Sequence, residues 1–252
     1  DGISEFMGWN KPVLTDSGGF QVMSLSKLRK ISEEGVKFQS HIDGASHFLT
    51  PENVIDYQNI IKSDIQMVLD ECIQYPESYE NVKKSMELSL RWAERSRTHY
   101  NKNKSKIYGA QFGIIQGGVF KDLRETSISE TVNFDFEGYA IGGLAVGEGH
   151  EKMIEVVDYT APQLPEDKVR YLMGVGKPND IIEAVYRGVD IFDCVIPTRE
   201  GRHGIAYIGS SSINLKNSKF ESDLTPLDEG SDYFVSKKYS KSYLNHLLKI
   251  KD

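Results

Sequence analysis

The sequence has few cysteines and no long hydrophobic run. Its only two cysteines, Cys72 and Cys194, lie far apart in 252 residues, so a disulfide framework is not expected. No apolar stretch approaches the roughly 18 uncharged residues that a membrane span needs. The first residues do not resemble a secretory signal. These absences predict a cytoplasmic protein without a membrane partner.

An excess of basic charge is also missing. The chain has 30 Lys and Arg against 37 Asp and Glu, a formal net charge of −7. A protein that coats nucleic acid indiscriminately needs a strongly basic field, so that class is excluded. Local basic segments remain, such as TREGRH at 198–203. The glycine-rich stretches lack the spacing of a Walker or dinucleotide-binding loop, which argues against a phosphate-loop enzyme.

Six apolar runs alternate with amphipathic segments along the chain. The runs are nearly continuous, as expected of parallel strands that are covered on both faces. The intervening segments at 51–63, 79–100, 121–133, 151–164 and 178–188 have helical patterns, and two of them start with proline. Repeated strand and helix units predict a parallel sheet wrapped by helices. The runs are KPVLTD at 11–16, DIQMVLDEC at 64–72, YGAQFGIIQGG at 108–118, YAIGGLAVGE at 139–148, VRYLMGVGKP at 169–178 and VDIFDCVIPTR at 189–199.

Polar residues follow the predicted strands. About six units fit an open doubly wound sheet as well as a (β/α)₈ barrel, which needs eight. In a parallel barrel the strand ends share one rim, where barrel enzymes place their chemistry, so the positions of the polar residues favour the barrel. These residues are Asp16, Asp70, Gln116, Glu148, Lys177 and Asp193.

The motifs at these strand ends resemble those of one family, the queuine tRNA-ribosyltransferases or tRNA-guanine transglycosylases. The matching segments are TDSGGFQVMSL, LDEC, FGIIQGG, GYAIGGLAVGEG, YLMGVGKP and DIFDCVIPTR, in this order. The resemblance implies an irregular (β/α)₈ barrel that carries a zinc subdomain. In the bacterial type, which this chain resembles most, the implied reaction replaces guanine at the wobble position of certain tRNAs with 7-aminomethyl-7-deazaguanine, a queuosine precursor.

Two carboxylates account for the implied chemistry. Base exchange with retained configuration is most simply done by two inversions, which need a carboxylate that bonds to the anomeric carbon and a second that moves protons. Asp193 of DIFDCV resembles the nucleophile, and Asp16 of TDSGG resembles the general acid/base. The glycines after Asp16 fit a loop around a flipped-out base, on which Phe20 is placed to stack.

Further residues resemble those that bind the base. Asp70 of LDEC resembles the reader of the Watson–Crick edge, since a carboxylate accepts from the ring N–H and the exocyclic amine of guanine. Gln116 and the backbone of Gly143 resemble the contacts to the base carbonyl. The carbonyl of Leu144, with Glu148 behind it, resembles the acceptor for the aminomethyl group. The remaining predicted contacts are Cys72, Val146 and Met173 at the base and Arg199 and Arg202 at the tRNA phosphates.

The sequence departs from the family at both ends. Family chains begin well before the position of Asp1, so the first barrel strands are expected to be missing. Family members have Cys-x-Cys-x-x-Cys where this chain has Ser231, Tyr233 and Ser236. Hydroxyls are poor zinc ligands, so we expect no metal and no other cofactor. The predicted domains are an incomplete barrel over 1–216 and a remnant of the zinc subdomain over 217–252.

Three functions remain open at this point. The set of Asp16, Asp70, Gln116 and Asp193 favours an active transglycosylase, because a protein that only binds has no need of both reacting carboxylates. The changed zinc positions favour a non-catalytic tRNA-binding accessory subunit. The departures expected at both ends leave an inactive truncated homologue open. An archaeal-type enzyme fits DEC and GLAVGEG less well. The expected partners are a tRNA with a wobble guanine and a guanine or 7-deazaguanine base, and a homodimer is left open.

Overall fold

The chain divides into two compact units, Asp1–Asp193 and Cys194–Asp252. The computed structural model describes residues 2–21, 29–40 and 42–250. In chain order the first unit contains α1 (Ile3–Met7), β1 (Leu14–Thr15), β2 (Lys30–Ile31), β3 (Val36–Gln39), β4 (Ser46–Leu49), α2 (Pro51–Ile60), β5 (Ile65–Met67), α3 (Tyr79–Asn103), β6 (Ala110–Ile115), α4 (Lys121–Asn133), β7 (Gly138–Ile141), α5 (His150–Thr160), a 3₁₀ turn (Ala161–Gln163), β8 (Val169–Leu172), α6 (Pro178–Tyr186) and β9 (Ile191–Phe192).

The six apolar runs form one parallel sheet, as predicted. Its order is β1-β5-β6-β7-β8-β9, and every neighbouring pair is parallel. The five predicted helices are also confirmed. Helix α2 begins with a capping box, in which the Thr50 hydroxyl accepts from the Asn53 backbone N–H and the Asn53 side chain accepts from that of Thr50. None of the described helices has the length and apolarity that a membrane crossing requires.

The sheet curls, so that its two edge strands approach each other at their carboxyl ends. Asp16 follows β1 and Asp193 follows β9, the two edges of the six-stranded sheet. A flat sheet of this size would separate these ends by about 24 Å, beyond the roughly 10 Å over which solvated charges interact. Burial raises the pKa of Asp16, and the negative charge of Asp193 raises it further. This proximity is that of part of a (β/α)₈ barrel and excludes the open sheet.

A small antiparallel sheet, β2-β3-β4, lies between β1 and α2 in the sequence. Sequence analysis missed it, because its strands are short and mostly solvent-facing. Helix α3 holds it in place: the indole N–H of Trp92 donates to the Glu33 carbonyl at 2.8 Å, and Arg91 forms a two-pronged ion pair with the Glu33 carboxylate. Beneath it lies a cluster of four buried side chains, namely Val36, Val54, Leu69 and Trp92.

The second unit is built from short elements. They are α7 (Ile196–His203), the antiparallel pair β10 (Ile205–Ile208) and β11 (Ser211–Asn214), a 3₁₀ turn (Ser218–Phe220), α8 (Phe234–Lys238) and α9 (Lys241–Ile250). Asn245 of α9 is buried, and its side-chain amide donates to the carbonyls of Leu215 and Asn217. The predicted boundary between the barrel, 1–216, and the remnant of the zinc subdomain, 217–252, stays a prediction.

We predict that Gly138→Ala destabilises the parallel sheet. Phe112 on β6 faces Gly138 on β7, and a Cβ at this glycine would lie 2.3 Å from the Phe112 ring. The overlap should lower the free energy of unfolding by about 1–3 kcal/mol in urea titrations. Phe112→Leu makes room, so the double variant should lose less than the sum of the two single changes. Additive losses would show that the ring does not set this limit.

Candidate active site at the carboxyl ends of the strands

The predicted polar residues occupy the carboxyl ends of the parallel strands. Asp16, Gln116 and Asp193 come directly after β1, β6 and β9, and Asp70 lies three residues beyond β5. Gly143 and Glu148 are in the loop after β7. Because the strands are parallel, all of their carboxyl ends lie at the same end of the sheet. The curl of the sheet brings the ends of the edge strands β1 and β9 close to those of the inner strands. The strand order thus gathers residues that are up to 177 positions apart, Asp16 and Asp193.

Asp70 and Gln116 form a buried pair. The side-chain amide of Gln116 donates to Asp70 Oδ2 at 2.6 Å, and Asp70 is only 7% exposed. Burial raises the pKa of Asp70 to about 7, and the negative charge of Asp16 adds to the shift. The pair therefore offers a carboxylate acceptor beside an amide, which matches the donors and the carbonyl on the edge of guanine.

Asp16 lies at the start of a tight glycine turn. Its Oδ1 accepts from the Ser17 backbone N–H at 2.8 Å. Gly18 has a positive φ of 87°, and a Cβ at Gly19 would lie 2.6 Å from the Asp70 carbonyl oxygen. Both glycines are therefore required, one by its backbone conformation and the other by close approach to the segment that follows β5. The end of this motif, residues 22–25, lies outside the described residues.

Asp193 is held by two donors at the same oxygen. The Tyr171 hydroxyl donates to Oδ1 at 2.6 Å, and the Gly174 backbone N–H donates to Oδ1 at 2.8 Å. Sequence analysis did not single out Tyr171. The available signal was a tyrosine within an otherwise apolar strand. A buried tyrosine needs a hydrogen-bond partner for its hydroxyl, so such a residue indicates a nearby polar group.

Arg124 supports the glycine loops from within and was also missed. Its guanidinium donates to the carbonyls of Gly118 at 2.8 Å and Ile115 at 2.9 Å. Burial lowers its pKa to about 10, so it stays a cation at neutral pH. Gly143 lies between this cation and Gln116: a Cβ there would lie 2.4 Å from Gln116 Oε1. The loop after β7 can approach Gln116 this closely only because Gly143 has no side chain.

Cys72 and Glu148 have supporting rather than reacting chemistry in this arrangement. Burial, and then the negative charge of Asp70, raise the pKa of Cys72 to about 12, so its thiol stays protonated at neutral pH. Glu148 accepts from the backbone N–H groups of Ala145 at 2.6 Å and Val146 at 2.9 Å. The carboxylate thereby fixes the loop that follows Leu144. A small cavity of about 20 Å³ touches Gln116, Gly143, Val146 and Glu148.

The remaining predicted contacts lie in different surroundings. Phe20 follows the glycine turn and leaves 45% of its surface exposed. Leu144 is buried in the main core, and Met173 packs against that core from a partly buried position. Arg199 and Arg202 are exposed on α7, which belongs to the second unit. Their roles, like those of the other site residues, stay predictions.

The family model described as queuine tRNA-ribosyltransferase matches residues 1–252. A queuine tRNA-ribosyltransferase from Rickettsia typhi is 56% identical over 251 residues, a match that covers 100% of this chain and 69% of that protein. The corresponding protein from Rickettsia prowazekii is 55% identical over the same length and coverage. The chain belongs to the queuine tRNA-ribosyltransferase family.

Membership confirms the resemblance on which the fold and the enzyme class were predicted. The family is one of transferases in tRNA processing and queuosine biosynthesis, and a third relative, from Rickettsia massiliae, is 56% identical over 249 residues. The parallel, curled sheet agrees with part of a (β/α)₈ barrel. The match covers all of the segments that carry the resemblance.

The residues that the resemblance puts at the family's zinc positions do not fit a metal. Structural zinc takes thiolate, imidazole or carboxylate ligands, whereas Ser231, Tyr233 and Ser236 supply hydroxyls. The Ser231 hydroxyl instead accepts from the Tyr233 backbone N–H at 3.1 Å. Within the described ranges, no group of three or more acidic, histidine or cysteine side chains is placed to hold a metal ion. That the protein carries no zinc stays a prediction.

We predict that Asp70→Asn stabilises the protein at high pH. The pKa of Asp70 is 3.8 before folding and about 7 after it, so the folded state binds more protons between these values. The contribution of protonated Asp70 to the free energy of unfolding is therefore fully present below about pH 4 and is lost as pH rises through about 7. Asparagine stays neutral and still accepts from Gln116.

Thermal and urea unfolding across pH 4–8 test this prediction. The variant should match the wild type near pH 4 and exceed it by about 4 kcal/mol at pH 8, from a shift of about 3 pKa units at about 1.4 kcal/mol each. Asp158→Asn, which removes a carboxylate that is 67% exposed, is the matched control and should show no such gain. Equal stability of Asp70→Asn and wild type at pH 8 contradicts the burial argument.

Proposed function

We propose that this chain is a tRNA-guanine transglycosylase that exchanges guanine at the wobble position for 7-aminomethyl-7-deazaguanine. The observation that carries the proposal is the convergence of Asp16, Asp70 and Asp193 at one rim, each with a different set of donors. Three carboxylates in one region repel one another. A retaining base exchange uses all three, one to read the base, one to move protons and one to bond to the ribose.

Recognition of the base begins at Asp70. In its ionised form the carboxylate accepts from the ring N–H and the exocyclic amine of a guanine-like base, and Gln116 lies 2.6 Å away to contact the carbonyl. Both groups are buried, so these hydrogen bonds form with little competition from water. The fixed loop at Ala145 and Val146 turns the Leu144 segment toward the 7-substituent in this proposal, with Glu148 as its support.

The reaction proceeds through Asp193 and Asp16. Asp193 attacks the anomeric carbon as the C–N bond to guanine breaks, and the departing base takes a proton from Asp16. The raised pKa of Asp16, which is caused first by burial, suits a group that must hold a proton and then give it up. The incoming base loses its proton to Asp16 and displaces Asp193, so that two inversions retain the configuration.

Binding of tRNA engages exposed cations of the second unit in this proposal. Arg199 and Arg202 lie on one short helix, α7, with their side chains exposed. Phosphate contacts of this kind position a nucleic acid without reading its sequence. The cytoplasm is the compartment in which we propose that the protein acts, since that is where its tRNA substrate is. The homodimer stays a prediction.

We predict that Asp193→Asn abolishes both base exchange and a covalent tRNA adduct. The amide has the shape of the carboxylate but cannot act as the nucleophile. Asp16→Asn should form the adduct about 10²–10⁴-fold more slowly, because the leaving base receives no proton. Both variants should retain tRNA binding.

Incorporation of labelled guanine into unmodified tRNA, together with denaturing gels for the adduct, measures these effects. Asp158→Asn on the outer helix α5 is the control and should exchange base as the wild type does. Wild-type protein that binds tRNA but neither exchanges base nor forms an adduct would instead be the accessory subunit. Wild-type protein that does not bind tRNA would contradict both functions.

A further inference from the structure

Two donors converge on one oxygen of the proposed nucleophile. Tyr171 and Gly174 both donate to Oδ1 of Asp193, at 2.6 and 2.8 Å. They come from the end of β8 and the turn that follows it, while Asp193 follows the neighbouring strand β9. The two oxygens of this carboxylate are therefore unequal before any substrate binds.

The backbone positions both donors. Tyr171 is only 4% exposed and is paired in register with Ile191, two residues before Asp193. Gly174 has a φ of 74°, the left-handed conformation that glycine adopts without strain, and this turn presents its N–H to Oδ1. The main chain therefore fixes one donor and the packed ring of Tyr171 fixes the other, while the Asp193 side chain that accepts from both is exposed.

Tyr171 keeps its proton throughout the working pH range. Burial, the hydrogen bond to Asp193 and the negative charges of Asp193 and Asp16 all raise its pKa far above the ordinary value of tyrosine. The hydroxyl is therefore a permanent donor and not a second proton shuttle. Its contribution must act through Asp193, which makes it a positioning residue.

We propose that Tyr171, with the Gly174 N–H, reserves Oδ1 of Asp193 as the non-reacting oxygen, directs Oδ2 to the ribose and shortens the lifetime of the aspartyl ester. The inference rests on the proposed function, since it assumes that Asp193 is the nucleophile. It assigns each oxygen a separate task within that reaction.

The electrons balance in both steps. In the first, a lone pair of Oδ2 forms the bond to the anomeric carbon while the C–N bond breaks, and its electron pair leaves with guanine, which is protonated by Asp16. In the second, the deprotonated incoming base forms the new C–N bond while the C–Oδ2 bond breaks. That pair returns to the carboxylate, whose charge the two donors at Oδ1 stabilise.

Hydrogen bonds to a charged acceptor are stronger than those to a neutral one. The Tyr171 hydroxyl therefore stabilises the free carboxylate more than it stabilises the ester, in which Oδ1 is a neutral carbonyl oxygen. Its removal makes Asp193 a poorer leaving group, while the Gly174 N–H still holds Oδ1 and keeps Oδ2 directed to the ribose. The equilibrium between free tRNA and adduct then moves toward the adduct.

Tyr171→Phe tests this inference. With enzyme in excess over labelled tRNA, acid quenching and denaturing gels give the ratio of adduct to free tRNA. The variant should raise that ratio about tenfold over wild type, as expected for one hydrogen bond to a charged group. A chase with guanine should release the adduct more slowly by about the same factor. A merely structural role would lower adduct formation and would not prolong its life.

Two further variants serve as controls for this experiment. Tyr139→Phe removes another buried tyrosine hydroxyl, on the adjacent strand β7, whose bond is to the Val132 carbonyl, and it should leave the ratio unchanged. Replacement of Tyr171 by 3-fluorotyrosine keeps the ring and the hydroxyl but makes it a stronger donor. The ratio should then fall below the wild-type value, which tests the inference even where Tyr171→Phe folds poorly.

The outcomes separate this inference from the proposed function. Wild-type protein that forms no adduct overturns both. A wild-type adduct whose ratio to free tRNA is unchanged or lower in folded Tyr171→Phe overturns the assignment of the oxygens alone. A ratio of adduct to free tRNA that rises with 3-fluorotyrosine at position 171 also overturns the assignment of the oxygens. A rise with phenylalanine and a fall with fluorotyrosine support the assignment.

Discussion

The site depends on keeping carboxylates close together, with Asp70 buried, Asp16 partly buried and Asp193 exposed. Asp70 is buried, and its pKa rises because burial and the charge of Asp16 both oppose ionisation. The pKa of Asp16 is likewise raised by burial and by the negative charge of Asp193. Such crowding is unfavourable for folding, because each negative charge destabilises the next. It persists here because the barrel topology brings the ends of β1, β5 and β9 to one rim.

The surrounding structure offsets this repulsion with aimed donors. Gln116 donates to Asp70, Ser17 donates to Asp16, and Tyr171 and Gly174 donate to Asp193. None of these donors is a cation, so the charges are held in place without being neutralised. A lysine or arginine in direct contact would stabilise the apo protein more, but it would lower the basicity and nucleophilicity that base exchange requires. In the proposed function, the site therefore keeps its reactivity at a cost in stability.

The parallel strands and helices were predictable from sequence, because continuous apolar runs and 3.6-residue periodicity each have one main cause. The positions of Asp16, Asp70, Gln116 and Asp193 followed from the same pattern, since strand ends share a rim. The antiparallel sheet β2-β3-β4 was not predictable, because its short strands bury few side chains. Tyr171 and Arg124 were missed because their roles depend on which side-chain atoms face them across the sheet, and a local pattern does not contain that information.

The central claim is that guanine binding requires ionised Asp70, whose pKa of about 7 in the free protein leaves it largely protonated at pH 6. Calorimetric titration of guanine into the protein, in buffers of different ionisation enthalpy, counts the protons exchanged on binding. The account predicts release of close to one proton per guanine at pH 6 and almost none at pH 8.5. Binding with no proton release at either pH would contradict it.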